Sequence, residues 1–109
     1  MDVILTAEGE LVTAALSGEI DHHGAGEIPQ RIDELVQRAE PKELILDFRD
    51  VTFMDSSGIG LVMGRYRLVQ SFGGTLCLRN VSAPLKKVMK LAGLDRIARM
   101  EDTRPGQKL

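Results

Sequence analysis

With 109 residues, 43% of them apolar and 28% charged, the chain has the size and composition of one soluble domain able to bury a core. Its 14 basic and 16 acidic residues are mixed along the chain and leave a net charge of −2, which argues against a nucleic-acid or anionic-membrane partner. Cys77 is the single cysteine, set in the apolar run TLCLRN, and predicts a buried thiol; with no signal-type opening and no apolar run near the roughly 20 residues of a membrane span, a cytoplasmic protein is expected.

Residues 2–7 (DVILTA) and 11–17 (LVTAALS) read as strands on either side of EGE, an antiparallel hairpin. Ile28, Ile32, Leu35, Val36 and Ala39 then recur at helical spacing, with Pro29 in the first turn, and predict an amphipathic helix that stops before Pro41. The continuous apolar run ELILDF, 43–48, predicts a strand covered on both faces at the centre of the sheet. A helix over 57–71, a strand over 74–79 and a helix over 83–92 follow, the last with Ser82 as N-cap, Pro84 in its first turn and Gly93 at its end. RIARM, 96–100, reads as a final strand, and EDTRPGQKL, 101–109, as a loose tail. The order β-β-α-β-α-β-α-β defines an α/β fold: a single domain with a mixed sheet and helices as crossovers.

The second helix carries an unusual pattern. At about 100° per residue, Ile59, Val62, Met63, Tyr66 and Val69 share one arc, the predicted core face. Leu61, Leu68 and Phe72 point almost the opposite way, on the side of Ser57 and Gly64. Such a second stripe is either covered by a neighbouring helix or left open to a partner, and its closeness to a pair of serines favours the partner.

Those serines sit in MDSSGIG, 54–60. A serine hydrolase would need a G-x-S-x-G elbow, but Ser56 follows Met54 and Asp55, and the two histidines, His22 and His23, are adjacent at a strand end. Gly58, Gly60 and Gly64 depart from the dinucleotide fingerprint, and ELILDF lies too far upstream to form its strand-to-helix turn. Asp21, His22 and His23 lack a further Cys or His to complete a metal site and read more simply as turn and capping residues. What remains is a serine at a helix N-terminus, a position that receives phosphate well because free backbone N–H groups and the helix dipole meet a negative group there. The commoner meaning of DSSG is a plain N-cap at Ser56 or Ser57, worth about 1 kcal/mol, and spacing alone leaves the two open.

FMDSSGIGLVMGRYR, 53–67, together with LSGEIDHH, 16–23, resembles the anti-sigma factor antagonists of the STAS domain family. The likeness runs in register over about residues 3–100, through LILDFRDVTFMDSSG, GGTLCL and SAPLKKVMKLAGL, and DHH with GRY resembles the sigma F branch that acts in sporulation. The resemblance implies that the serine directly after the motif aspartate, here Ser56, is phosphorylated by an anti-sigma factor that is itself a serine kinase, with Ser57 its unmodified neighbour. It further implies that the unphosphorylated form binds the kinase–nucleotide complex and releases the sigma factor, that phosphorylation ends binding, and that a serine phosphatase restores it. The chain is then a switch and a substrate, not an enzyme. It needs no cofactor of its own, since the nucleotide is carried by the kinase.

Asp21, Asp55, Ser57, Gly58, Leu61, Gly64 and Leu68 are the expected partner-binding residues, the glycines leaving room for the kinase to approach. Lys86, Lys87 and Lys90 read as a solvated face. Two departures from the family pattern are expected: GAGEIPQ, 24–30, delays the first helix by a turn, and the stop soon after RIARME leaves the final helix absent or very short. Two alternatives stand beside this reading, a STAS antagonist of a general stress pathway and, less favoured, a small serine hydrolase or nucleotide-using enzyme.

Overall fold

At the first turn Gly9 takes φ +56°, a left-handed conformation that glycine adopts without steric cost. There β1 (Asp2–Glu8) folds back on β2 (Leu11–Ile20) as an antiparallel hairpin, with Asp2 opposite Ser17 and Glu8 opposite Leu11. The rest of the chain, in a computed structural model that describes residues 1–22 and 27–103, alternates helix and strand. α1 (Glu27–Ala39), β3 (Glu43–Met54), α2 (Ser56–Gln70), β4 (Thr75–Arg79), α3 (Ala83–Leu91), a short 3-10 turn (Leu94–Arg96) and β5 (Arg99–Glu101) follow in order. The five strands form one sheet in the order β1-β2-β3-β4-β5, parallel from β2 onward, with β3 at the centre as its apolar run predicts.

The expected elements are present, with changes that have physical causes. β2 runs through Gly18 (φ +85°) by register shifts in its pairing with β3, so the glycine that reads as a strand end is a bulge within a longer strand. β3 likewise continues past Phe48 through the polar residues Arg49 and Asp50 to Met54. α1 begins at Glu27, one residue ahead of Ile28; the expected delay concerns GAGEIPQ, of which residues 24–26, like His23, lie outside the described residues. The tail is fixed through Thr103: Asn80, at φ +58°, donates its backbone N–H to Glu101, and its side-chain oxygen accepts from the Thr103 backbone N–H at 2.7 Å. The remainder of the expected tail, and with it the question of a final helix, falls on residues 104–109, outside the described part.

The crossovers step across the sheet in one direction, and right-handed connections of that kind lay the helices on one face. Leu44, Leu46 and Phe48 of β3 join Val12, Ala14 and Leu16 of β2, Leu76 and Leu78 of β4, and Ile28, Ile32, Val36, Val62, Val69 and Met89 of the helices in a single core. Ile45 and Cys77 alternate to the opposite face and are buried apart from that core. Their neighbours there are charged: Arg99 lies 3.0 Å from Glu43, and Arg79 lies 2.7 Å from Glu101. Among the described residues no second helix layer covers this face of β3.

The core face of α2 differs from expectation. Its buried line is Gly58, Leu61, Val62, Arg65 and Val69, turned about 80° from the predicted arc. Leu61 is only 4% exposed, while Leu68 and Phe72 are half-buried against the core, so the second apolar stripe is packed against the core and is not an open patch. The cover on this side is α1. Arg65, between the two stripes, places Nε 2.7 Å from Asp33 Oδ1 and donates from a terminal nitrogen to Asp33 Oδ2 at 3.0 Å, bridging α2 to α1. A buried arginine at the centre of the apolar arc is what hydropathy reads wrongly. Burial pushes the Asp33 carboxyl above its ordinary value, against the pull of the Arg65 charge.

Truncating one partner of such a pair strands the other, so Arg65→Ala is expected to lower unfolding free energy by about 3 kcal/mol in urea titrations. Burial also pushes the Cys77 thiol up to about 11. At pH 8 the native chain is then expected to resist a thiol reagent such as Ellman's for hours, with one equivalent reacting once urea unfolds it.

Candidate functional site

Because β2 and β3 are parallel, their carboxyl ends lie at one edge of the sheet, Ile20 opposite Met54. The Asp55 backbone N–H donates to the Ile20 carbonyl at 3.1 Å, which ties the exit of β3 to the exit of β2. Asp55 stays extended (φ −103°, ψ −163°), and α2 begins at the next residue.

Asp55 is the N-cap of α2. Its Oδ1 accepts from the Ser57 N–H at 2.8 Å and its carbonyl accepts from the Gly58 N–H at 3.0 Å. Neither serine is therefore the cap: Ser56 is the first helical residue, exposed, and Ser57 the second, half-buried. That leaves the Ser56 hydroxyl at the positive end of the helix dipole, on the surface, with no capping role to occupy it. The Ser57 hydrogen bond is the main reason the Asp55 carboxyl is held below the ordinary carboxylate range, and His22 adds to it. His22 Nδ1 lies 3.6 Å from Asp55 Oδ2, so the two carboxylate oxygens face different partners. Asp21, half-buried, immediately follows β2 on the same edge.

The expected glycines divide. Gly58 is buried, and a Cβ there would overlap the Met54 side chain and approach Ile20 Cγ2 at 3.4 Å. It faces inward to let the helix start close to the strand ends, and does not open the serine to a partner. Gly60 and Gly64 have open space around their Cβ positions, Gly60 exposed and Gly64 half-buried. Ser56, Gly60, Met63 and Arg67 follow one another along the outer side of α2, whereas Leu61 lies beneath it in the core and Leu68 is half-buried against that core.

One surface residue of this edge escapes sequence reasoning. Phe53 is 49% exposed and stands opposite Glu19 in the ladder. The register shift between Gly18 and Glu19 breaks the strict alternation, so Thr52 and Phe53 are both exposed between buried Val51 and Met54. The run VTFM carries no polar marker of that break. Among the described residues no group of three or more His, Cys, Asp or Glu side chains is placed to hold a metal ion.

This exposed serine, first residue of a helix that Asp55 caps, lies in the segment whose sequence resembles the STAS domain family. Residues 3–105 match that family, and the chain belongs to it. It is 36% identical over 87 residues to the anti-sigma F factor antagonist of Paenibacillus polymyxa, covering 80% of this chain and 74% of that one. It is 32% identical over 82 residues to the anti-sigma-B factor antagonist of Bacillus subtilis (strain 168), covering 75% and 73%. Among solved structures, the anti-sigma factor antagonist SpoIIAA in its unphosphorylated form superposes with a TM-score of 0.81 at 32% identity, over 95% of this chain and 90% of that one. The Bacillus cell fate determinant SpoIIAA in its phosphorylated form superposes with a TM-score of 0.75 at 33% identity, over 95% and 93%.

The sign of the Asp55 shift sets an acid response. A carboxyl held lower in the folded chain stabilises it at all pH values above the ordinary carboxylate range and loses that contribution as pH falls through the folded value. Asp55→Ala is expected to lower the urea midpoint from about pH 5 upward, and the gap to the parent narrows steadily below about pH 4.

Proposed function

We propose that the chain is an anti-sigma factor antagonist switched by phosphorylation of Ser56. Its unphosphorylated form binds an anti-sigma factor that is a serine kinase, and so releases a sigma factor; phosphate on Ser56 ends that binding, and a serine phosphatase restores it. The observation that carries the reading is the position of Ser56: first residue of α2, exposed, and spared any capping role by Asp55. The chain is the substrate and the switch, and the nucleotide is the kinase's. It works in the cytoplasm without a cofactor, a nucleic-acid contact or a membrane.

The docking surface follows from exposure. Phe53, Ser56 and Gly60 form its exposed part, with half-buried Asp21, Ser57, Met63 and Gly64 at its margins. Gly58 and Leu61 support it from beneath, and Asp55 holds the helix start in place. A phosphoryl group on Ser56 brings about −1.5 to −2 charges beside Asp55 and Asp21, which a partner surface built for the neutral serine meets as repulsion and desolvation cost. One modification of this kind suffices to remove most of the affinity.

The identity to an anti-sigma F factor antagonist favours sigma F and sporulation. The identity to an anti-sigma-B factor antagonist supports the second reading, a general stress pathway with a different kinase.

Incubation with each candidate kinase and ATP, with the phosphate located by mass spectrometry, is expected to modify Ser56 with the cognate kinase only. Ser56→Ala is expected to bind that kinase constitutively, Ser56→Asp on the order of 100-fold more weakly, and Ser57→Ala to be phosphorylated and released like the parent. Equal binding by the Ala and Asp variants, or phosphate on Ser57 alone, overturns the assignment.

A further inference from the structure

Among the described residues the large apolar side chains left exposed are Ile4, Leu11, Phe53, Val88 and Leu91. Four of them lie away from the serine. Ile4 stands within β1, the outermost strand, and Leu11 begins β2 opposite Glu43, at the amino end of β3. Val88 and Leu91 end α3, which runs from β4 back to the start of the parallel strand β5. Phe53 alone of the five is at the carboxyl edge, three residues before Ser56, so that the two Cα atoms are within about 11 Å of each other.

Its exposure is built into the ladder. Gly18 at φ +85° and the register shift that follows it break the alternation of β3, and Phe53 turns outward opposite Glu19, whereas Phe48 is buried and Phe72 half-buried. The mount is rigid. Val51 before it and Met54 after it are buried, and the Asp55 N–H bond to the Ile20 carbonyl closes the strand end. An aromatic ring held out on a paired strand loses little freedom when it is bound.

The surface around Ser56 offers no other such feature. Gly60 is exposed with open space at its Cβ position, Ser57 and Gly64 are small and half-buried, and Met63 is half-buried against the core. Flat ground of that kind lets a partner's reacting groups approach the serine closely but gives them little to hold.

We propose that Phe53 is the anchor by which the anti-sigma kinase holds the chain: the ring enters an apolar pocket of the kinase beside its nucleotide cleft, and the small residues of α2 let Ser56 reach that cleft. This deepens the Ser56 reading and rests on it. Aromatic side chains seated in a partner's pocket carry a disproportionate share of interface affinity. The contact is complete before any phosphate moves and is as strong in the ground state as during transfer, so it lowers KM and leaves kcat unchanged.

The test uses the full chain, its cognate anti-sigma kinase and the variants Phe53→Thr, Phe53→Leu and Leu91→Ser. Threonine is a good strand former and keeps the ladder, and Leu91, 82% exposed on α3, is the control for a change at an apolar surface residue elsewhere. Binding is measured by calorimetry with ADP, which fills the kinase site without transferring phosphate, and KM and kcat are measured with ATP. Phe53→Thr is expected to weaken binding on the order of 30-fold and to raise KM to match, with the kcat and urea midpoint of the parent. Phe53→Leu recovers part of the loss, and Leu91→Ser behaves as the parent. Binding of Phe53→Thr within about threefold of the parent overturns the proposal, as does an equal loss in Leu91→Ser or a fall in kcat at unchanged KM. A parent chain that no candidate kinase binds refutes the antagonist reading and the anchor with it, whereas a parent and a Phe53→Thr variant bound alike refute the anchor alone.

Discussion

Everything at the serine edge depends on the parallel pairing of β2 with β3. Had the two strands run antiparallel, the exit of one would lie beside the entrance of the other, and the segment carrying Asp21 and His22 could not reach the start of α2. Parallel pairing in register, Ile20 opposite Met54, brings both exits together, and the hydrogen bond from Asp55 to Ile20 fixes their relation. Functional groups collect at the carboxyl edge of such sheets because the loops there face one way and the helix starts present their positive ends.

Against that frame, Asp55 separates the structural task from the functional one. An aspartate caps a helix as well as a serine does, so with Asp55 in the N-cap position the hydroxyl of Ser56 contributes nothing to the helix start and is exposed at it. Gly58 completes the arrangement from below, where any side chain would press on Met54 and lift the helix from the strand ends. The residues that hold the site still are thus distinct from the serine proposed to be modified.

The fold was largely legible before the structure. Period-two and period-3.6 patterns, Gly9 and Pro29, and the apolar run of β3 are local signals, and they carried the element order, the opening hairpin and the central place of β3. Errors fell where local signals and tertiary environment part. Gly18 and the polar pair Arg49–Asp50 read as strand ends, yet both strands continue because each pairs with the other. On α2 the apolar residues alone defined the expected core face, and the buried line includes Arg65, which an apolar pattern does not count. The leucines on its flank read either as covered or as open to a partner, and of the two Leu61 is buried while Leu68 stays half-buried.

At the site, the chain itself determined that DSSG opens a helix, that Ser56 and Ser57 lie at its start, and that the motif resembles a family of phosphorylated switches, because these depend on residue type and neighbours along the chain. Which group caps the helix, which glycine is packing and which is surface, that Phe53 is exposed and that His22 meets Asp55 were decided only by tertiary structure. Each of these depends on a residue distant in sequence: Met54 and Ile20 around Gly58, the shifted ladder beside Phe53, the shared strand edge that brings residue 22 to residue 55. A one-residue register change leaves composition and periodicity as they are and moves every side chain beyond it to the other face of the sheet.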